Sequence, residues 1–355
     1  MFLVKSVCFL GIIVFSVCSK FSSLDTIYQK GVDAYSRERW SECIVHFEES
    51  LHLYKTYKTV IINCRLKCNT ENKSQILEQI EDLKIYELFL NRRNCLIKCL
   101  DNEFENVYMY NNVSNKILSN FQSRKPYEYL HLCYFEMNAL PKAASAAYTY
   151  YVANTENEMM KNNVDYYILQ PEVDSKEVID LESEDYQVLY RIGLKAYRLK
   201  NWGETIANME EALTHYLNWE NSCRAECEHL SEQDWTSEFS ITIANYIASV
   251  LTCRQKCQNN PIFNTGIELL AEILNYLQIS YYHMERFEDA SQAVATYLFL
   301  IPNDEDMLEN KKIYLSLVDE KSFSERSDVV YYFKRDKQEK MLLNFFQSEN
   351  NDNYA

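Results

Sequence analysis

Apolar side chains return at helical spacing along most of the chain. Cys43, Ile44, Phe47 and Leu51 fall on one stripe, and Ile206, Met209, Leu213 and Leu217 on another. Recurrence at i, i+3 and i+4 predicts amphipathic helices that each bury one face. Breakers are scarce, with five Gly and five Pro in 355 residues. So few glycines argue against a β-sandwich or a dinucleotide-binding α/β fold, whose turns and phosphate loops need them. The expectation is an all-α chain. The stretch Ile168 to Glu184 lacks the stripe and holds Pro171, so it reads as a joint.

The pattern is duplicated. Gly31-Val-Asp-Ala-Tyr35 with Trp40 recurs as Gly193-Leu-Lys-Ala-Tyr197 with Trp202, and Glu42, Glu48-Glu49 and Leu51 recur at the same offset as Glu204, Glu210-Glu211 and Leu213. A second block, Tyr129-Leu130, Tyr134, Ala143, Tyr150, Met160, Asn163 and Tyr167, recurs as Tyr276-Leu277, Tyr281, Ala290, Tyr297, Met307, Asn310 and Tyr314. Self-similarity of this kind marks a repeat architecture. The outer hairpins resemble tetratricopeptide repeats. Gly31, Ala34, Cys43, Phe47 and Ser50 take the small and aromatic positions of that motif, as do Gly193, Ala196, Thr205, Met209 and Ala212.

The first residues read as a leader rather than fold. Lys5 precedes an apolar run from Val7 to Val17, and Val17 and Ser19 suit cleavage before Lys20, with cleavage after Cys18 as the alternative. The run is too short to span about 30 Å of hydrocarbon, so no membrane insertion is expected. The reading is a signal peptide over 1–19, a first helical half over 20–170, an acidic joint over 171–185, a second half with a helical extension over 186–347, and a disordered tail over 348–355. The mature chain is then lumenal or extracellular, and Asn353-Tyr354-Ala355 is no retention signal.

That compartment changes the cysteines. Eight of them form four CxxxC pairs: Cys64/Cys68, Cys95/Cys99, Cys223/Cys227 and Cys253/Cys257. Residues i and i+4 share a helix face but hold their Cβ atoms about 5–6 Å apart, whereas a disulfide wants about 3.8 Å. Each pair therefore bridges to another helix. Two antiparallel CxxxC helices close two rungs, outer to outer, giving Cys64–Cys99 with Cys68–Cys95 and Cys223–Cys257 with Cys227–Cys253. Zinc on four thiolates is the rival reading, disfavoured by an oxidising compartment, and the tighter CxxC of a redox site is absent. Cys43 and Cys133 stand alone and read as apolar helix positions.

Charge and motifs narrow the function. With 36 basic against 52 acidic residues, the net charge of −16 argues against nucleic-acid binding. No GxSxG, HExxH or P-loop is present. An iron site of two His and a carboxylate would start from HxD, and no His carries Asp at +2. His46-Phe-Glu48 and His283-Met-Glu285 are HxE, but i and i+2 point apart on a helix. Neither catalytic residues, metal ligands nor cofactors are therefore expected. Tyrosine is frequent, at 28. Tyr148, Tyr150, Tyr151, Tyr166, Tyr167, Tyr281 and Tyr282 suit either an aromatic groove for Pro-rich chains or a tyrosine-rich core. The acidic joint (Glu172, Asp174, Glu177, Asp180, Glu182, Glu184, Asp185) reads as a solvated face. Asn72-Lys-Ser74 and Asn112-Val-Ser114 are glycosylation acceptors, expected in loops.

These features together resemble the leprecan family. The likeness rests on Tyr35-Ser-Arg-Glu-Arg-Trp40-Ser-Glu, on Asn157-Glu-Met-Met160-Lys-Asn-Asn-Val-Asp-Tyr166-Tyr167, and on Ala196-Tyr197 through Trp202 to Met209-Glu210. It extends to Phe121 through Arg124-Lys-Pro126-Tyr127 to Leu130, to Arg326-Ser-Asp-Val-Val-Tyr-Tyr-Phe333, and to the four CxxxC pairs. It covers about residues 24–346, and Cys43 and Cys133 depart from the pattern. The resemblance implies TPR-like repeats and the role of a short, non-catalytic member. Such a member is a helper subunit of a collagen prolyl 3-hydroxylase in the endoplasmic reticulum, working with a cyclophilin B-like prolyl isomerase on procollagen. A lysyl hydroxylase partner and a secreted matrix scaffold are the alternatives.

Overall fold

The computed structural model describes residues 23–71, 81–110, 112–228, 239–258 and 265–352. The stretch read as a leader and the acceptor Asn72 lie outside them. In chain order the helices are α1 (Leu24–Ser36), α2 (Trp40–Glu71), α3 (Glu81–Asn106), α4 (Asn115–Gln122), α5 (Lys125–Glu136), α6 (Leu140–Ala153) and α7 (Glu158–Ile168). The second half follows as α8 (Asp185–Arg198), α9 (Trp202–Glu226), α10 (Phe239–Lys256), α11 (Ile267–His283), α12 (Phe287–Leu300) and α13 (Glu305–Leu315), then a 3-10 turn at Glu320–Ser322 and α14 (Ser327–Asp352). Among the described residues there is no strand. None of their helices is long and apolar enough to cross a membrane.

Four helix-to-helix turns share one geometry. α1 turns into α2, α5 into α6, α8 into α9 and α11 into α12 through a single left-handed residue: Glu38 (φ 55), Asn138 (φ 57), Lys200 (φ 58) and Glu285 (φ 58). The next N–H then reaches back to the helix: Arg39 to the Ala34 carbonyl, Ala139 to Tyr134, Asn201 to Ala196 and Arg286 to Tyr281, at 2.9–3.0 Å. The N–H of the left-handed residue bonds three residues back, to Tyr35, Phe135, Tyr197 and Tyr282. These are Schellman closures, which satisfy the orphan carbonyls of each first helix without glycine.

Each turn folds two helices into close contact. At Gly31 an added Cβ would sit 3.1 Å from the Phe47 ring, and at Gly193 it would sit 2.9 Å from the Met209 methyl. The missing side chain is what lets α1 reach α2 and α8 reach α9. Two hydrophobic cores result. One is built on Leu24, Tyr28, Phe47, Phe121, Leu130 and Tyr134. The other is built on Tyr186, Met209, Tyr216, Leu270, Leu277 and Val294.

α2 and α9 outrun their repeats and enter the stapled hairpins. Cys64–Cys99 and Cys68–Cys95 tie α2 to α3 with Cα atoms 5.7 and 5.8 Å apart. Cys223–Cys257 and Cys227–Cys253 join α9 and the residue that follows it to α10 and the residue that follows it, with Cα atoms 6.1 and 5.6 Å apart. The outer-to-outer rungs follow from antiparallel helices with one CxxxC face each.

Cys43 and Cys133 do not stand alone. They form a fifth disulfide, Cα–Cα 6.4 Å, between the first turn of α2 and the middle of α5. Both are fully buried. Periodicity shows that each faces the core; only the packing of α5 on α2 brings the two thiols together across 90 residues.

The joint between halves is irregular from 169 to 184 but tied down. Arg124 pairs with Asp180 at 3.0 Å, the Tyr127 hydroxyl donates to Glu182, and Val173 is buried. Asp180 is therefore no solvated charge. The last helix continues to Asp352, through most of the stretch read as a disordered tail. A helix anchored by buried Val329, Tyr332, Asp336 and Glu339 adds one hydrogen bond per further residue.

Candidate interaction surfaces

In the second half a cleft opens between α9, the α11–α12 hairpin and the strap that follows, lined by Glu210, Tyr281, Arg286, Asp289, Arg326 and Asp328, and the first half repeats its frame. Its centre is a tyrosine–glutamate pair. The Tyr134 hydroxyl donates to Glu48 Oε1 at 2.6 Å, and Tyr281 donates to Glu210. Burial and the facing carboxylate both raise these tyrosines well above the usual phenol range. A cation lies over each ring: Lys142 Nζ 5.4 Å from the Tyr134 centroid, and the Arg286 guanidinium 4.6 Å from Tyr281.

The straps use matched anchors. Thr149 of α6 and Thr296 of α12 are both fully buried. Each Oγ1 donates to the carbonyl four residues back, at 2.7 Å. Each then accepts a strap N–H, from Leu181 at 2.8 Å and from Arg326 at 3.0 Å. Thr149 and Thr296 immediately precede Tyr150 and Tyr297 of the duplicated block, so the frame marked the positions. Nothing local marked their role as anchors.

Each half carries a second matched contact. His131 Nδ1 sits 3.1 Å from the Tyr167 hydroxyl, and the Tyr314 hydroxyl donates to Gln278 Oε1 at 2.7 Å. Burial pushes the His131 imidazole down to about 4 and the Tyr167 and Tyr314 phenols up to about 12.

The halves meet at a buried ionic cluster around the stapled hairpins. Arg224 of α9 contacts Glu220, Glu339 and Asp336. Arg254 bridges Glu339 at 2.7 Å to Glu228, Arg335 holds Glu220, and Lys340 reaches Asp336 at 2.7 Å. The first half contributes Arg92 and Asn69, which both bind Glu228. It also contributes Arg65, whose guanidinium caps the Ala225 and Glu226 carbonyls at the C-terminal end of α9. Glu220 and Glu228 are 0% and 1% exposed, so their charge is tolerable only with these partners in place. The cluster was invisible in the sequence because its members come from α2, α3, α9, α10 and α14, with Glu228 just past the end of α9.

The other residues singled out in the sequence are dispersed. Tyr150, Tyr167 and Tyr281 are buried, and Tyr148 and Tyr151 are part of the core margin. Tyr166 and Tyr282 are the two of that set with exposed rings. His46 lies 3.8 Å from Glu49 while Glu48 turns to Tyr134. His283 stacks on Trp202 at 4.1 Å, and Glu285 is a turn residue. Among the described residues no three His, Cys, Asp or Glu side chains are grouped to hold a metal ion. Asn112 is exposed between α3 and α4, outside any helix. The hydroxyl and N–H of Ser114 both donate to Asp25 of α1.

Paired helices in two matched halves, cross-linked by disulfides and presenting clefts along their hairpins, define a helical-repeat scaffold. The chain belongs to the leprecan family, whose TPR-like repeat region matches residues 23–318. It is 30% identical over 335 residues to human cartilage-associated protein, covering 91% of this chain and 82% of that protein. It is 30% identical over 350 residues to mouse prolyl 3-hydroxylase 1, covering 90% of this chain and 47% of the enzyme. The chain thus spans about half the length of the hydroxylases it matches. Rat endoplasmic reticulum protein SC65 is 27% identical, with 91% of this chain and 77% of that protein covered.

Proposed function

We propose that the chain is a non-catalytic subunit of a collagen prolyl 3-hydroxylase complex in the lumen of the endoplasmic reticulum. It binds the hydroxylase and procollagen chains, together with a cyclophilin B-like prolyl isomerase. One observation carries the reading: about nine-tenths of this chain aligns both with a prolyl 3-hydroxylase and with a cartilage-associated protein. A scaffold common to an enzyme and to a protein named for cartilage fits a shared assembly role on matrix substrates. The second-half cleft and the hairpin edges supply a broad surface of the kind repeat proteins use for partners. The leader over 1–19 and the five disulfides fit an oxidising compartment.

The test has two arms. Purified protein given Fe(II), 2-oxoglutarate and procollagen peptides is expected to form no 3-hydroxyproline, and affinity purification from cells is expected to recover a prolyl 3-hydroxylase. Deleting the gene should lower collagen proline 3-hydroxylation. Unchanged collagen modification with an unchanged hydroxylase level overturns the reading. A selective loss of lysine hydroxylation points instead to a lysyl hydroxylase partner. Recovery of the protein only from the matrix points to a secreted scaffold.

A further inference from the structure

The second-half cleft and the first-half surface around Glu48 share one frame but are filled differently. In the second half, Arg326 follows the strap into the cleft, with Nη1 2.7 Å from Glu210 and Nη2 3.1 Å from Asp328. Arg286 covers the Tyr281 ring and pairs with Asp289 at 2.7 Å. In the first half the strap residue whose N–H meets the matched threonine is Leu181, and the position matching Arg286 is Ala139. Neither carries a charge. Glu48 is left with the Tyr134 hydroxyl and with Lys142 Nζ at 3.9 Å. Its side chain is 50% exposed and that of Lys142 is 68% exposed. Such an exposed, distant pair contributes little and is readily displaced.

We propose that the first-half surface around Glu48 and Tyr134 is a docking site for an arginine side chain of a partner polypeptide, the place that Arg326 fills within the chain in the second half. The occupant follows from the page. The sister cleft shows a guanidinium seated against the matched carboxylate. Arginine can engage a carboxylate through two N–H groups and lie on an aromatic face, which lysine cannot do together. The net charge of −16 favours a cationic visitor. The proposal does not rest on the collagen reading, and either can fail while the other stands.

A fluorescent seven-residue Gly/Ser peptide carrying one arginine, and its alanine counterpart, serve as probes for the full-length protein in fluorescence polarisation at low salt. The arginine peptide is expected to bind at least tenfold more tightly than the alanine peptide. Glu48→Gln should weaken it about tenfold. Leu181→Arg, which supplies the guanidinium from the strap, should block it to a similar extent. Glu49→Gln removes a neighbouring charge that faces His46 rather than Tyr134 and should leave binding unchanged. Equal binding by wild type and Glu48→Gln, equal loss in Glu48→Gln and Glu49→Gln, or no preference for arginine overturns the proposal. Circular dichroism confirms folding of each variant, and Glu48→Gln decides the matter even if Leu181→Arg does not fold.

Discussion

Cys43 and Cys133 are joined across α2 and α5, and the matched positions in the second half hold Thr205 and Ser280, both fully buried. The same site is thus covalent in one half and apolar contact with hydroxyls in the other. There Thr205 Oγ1 donates to the Asn201 carbonyl at 2.9 Å and Ser280 Oγ to Tyr276 at 2.7 Å.

This makes the disulfide exchangeable. Cys43→Thr with Cys133→Ser should fold, keep four disulfides on non-reducing peptide mapping, and lose roughly 4–5 kcal/mol by the chain-entropy model for a loop of this length. The converse, Thr205→Cys with Ser280→Cys, should close a sixth bond. Free thiols at both positions in that double variant would show that the two halves do not share the geometry.

Arg224 is the hub of the ionic cluster. Arg224→Met should destabilise by about 3–5 kcal/mol, because Glu220, Asp336 and Glu339 stay buried with a partner gone. Urea unfolding measures it. A variant as stable as wild type would mean that the remaining arginines suffice.

His131 makes the first half acid-sensitive. A depressed imidazole binds fewer protons when folded than when unfolded. Its contribution is therefore complete above about 6.5 and is lost as pH falls toward about 4. The full loss is on the order of 3 kcal/mol. His131→Gln copies Gln278, which already bonds Tyr314 in the second half. It should flatten the melting temperature between those pH values while preserving it near neutrality. An unchanged slope would assign the acid sensitivity to other groups.

The two close-packing glycines should respond unequally. Gly31→Ala drives a methyl against the Phe47 ring, while Gly193→Ala meets the movable end of Met209. Overpacking costs about 1–3 kcal/mol where the neighbour cannot move, against a helix-propensity gain of about 1 kcal/mol. Gly31→Ala should lower the melting temperature, and Gly193→Ala should be close to neutral. Equal effects would remove the distinction.

Asn112 is expected to carry a glycan, since it is exposed and lies outside any helix. Asn112→Gln should remove one step of glycosidase-sensitive mobility from protein made in secretory cells. Wild-type protein with intact disulfides and no such step would show that the site is skipped.

What the chain by itself determined was local or repeated. Apolar stripes at helical spacing marked the helices, four CxxxC faces dictated the rungs Cys64–Cys99, Cys68–Cys95, Cys223–Cys257 and Cys227–Cys253, and the recurrence of Gly31 as Gly193 located the closest helix approach. Each is legible because the residues involved are a few positions apart or stand in a duplicated frame. The tertiary structure alone decided which distant residues meet. It joined Cys43 to Cys133, turned Thr149 and Thr296 into strap anchors, took Asp180 out of solvent and onto Arg124, and brought Arg92 of α3 and Arg254 of α10 onto Glu228 beyond the end of α9. A charged or small side chain carries no local sign of its partner. The pairing is set by how α2, α5, α9, α10 and α14 pack, and by the cost of burying each of those groups alone.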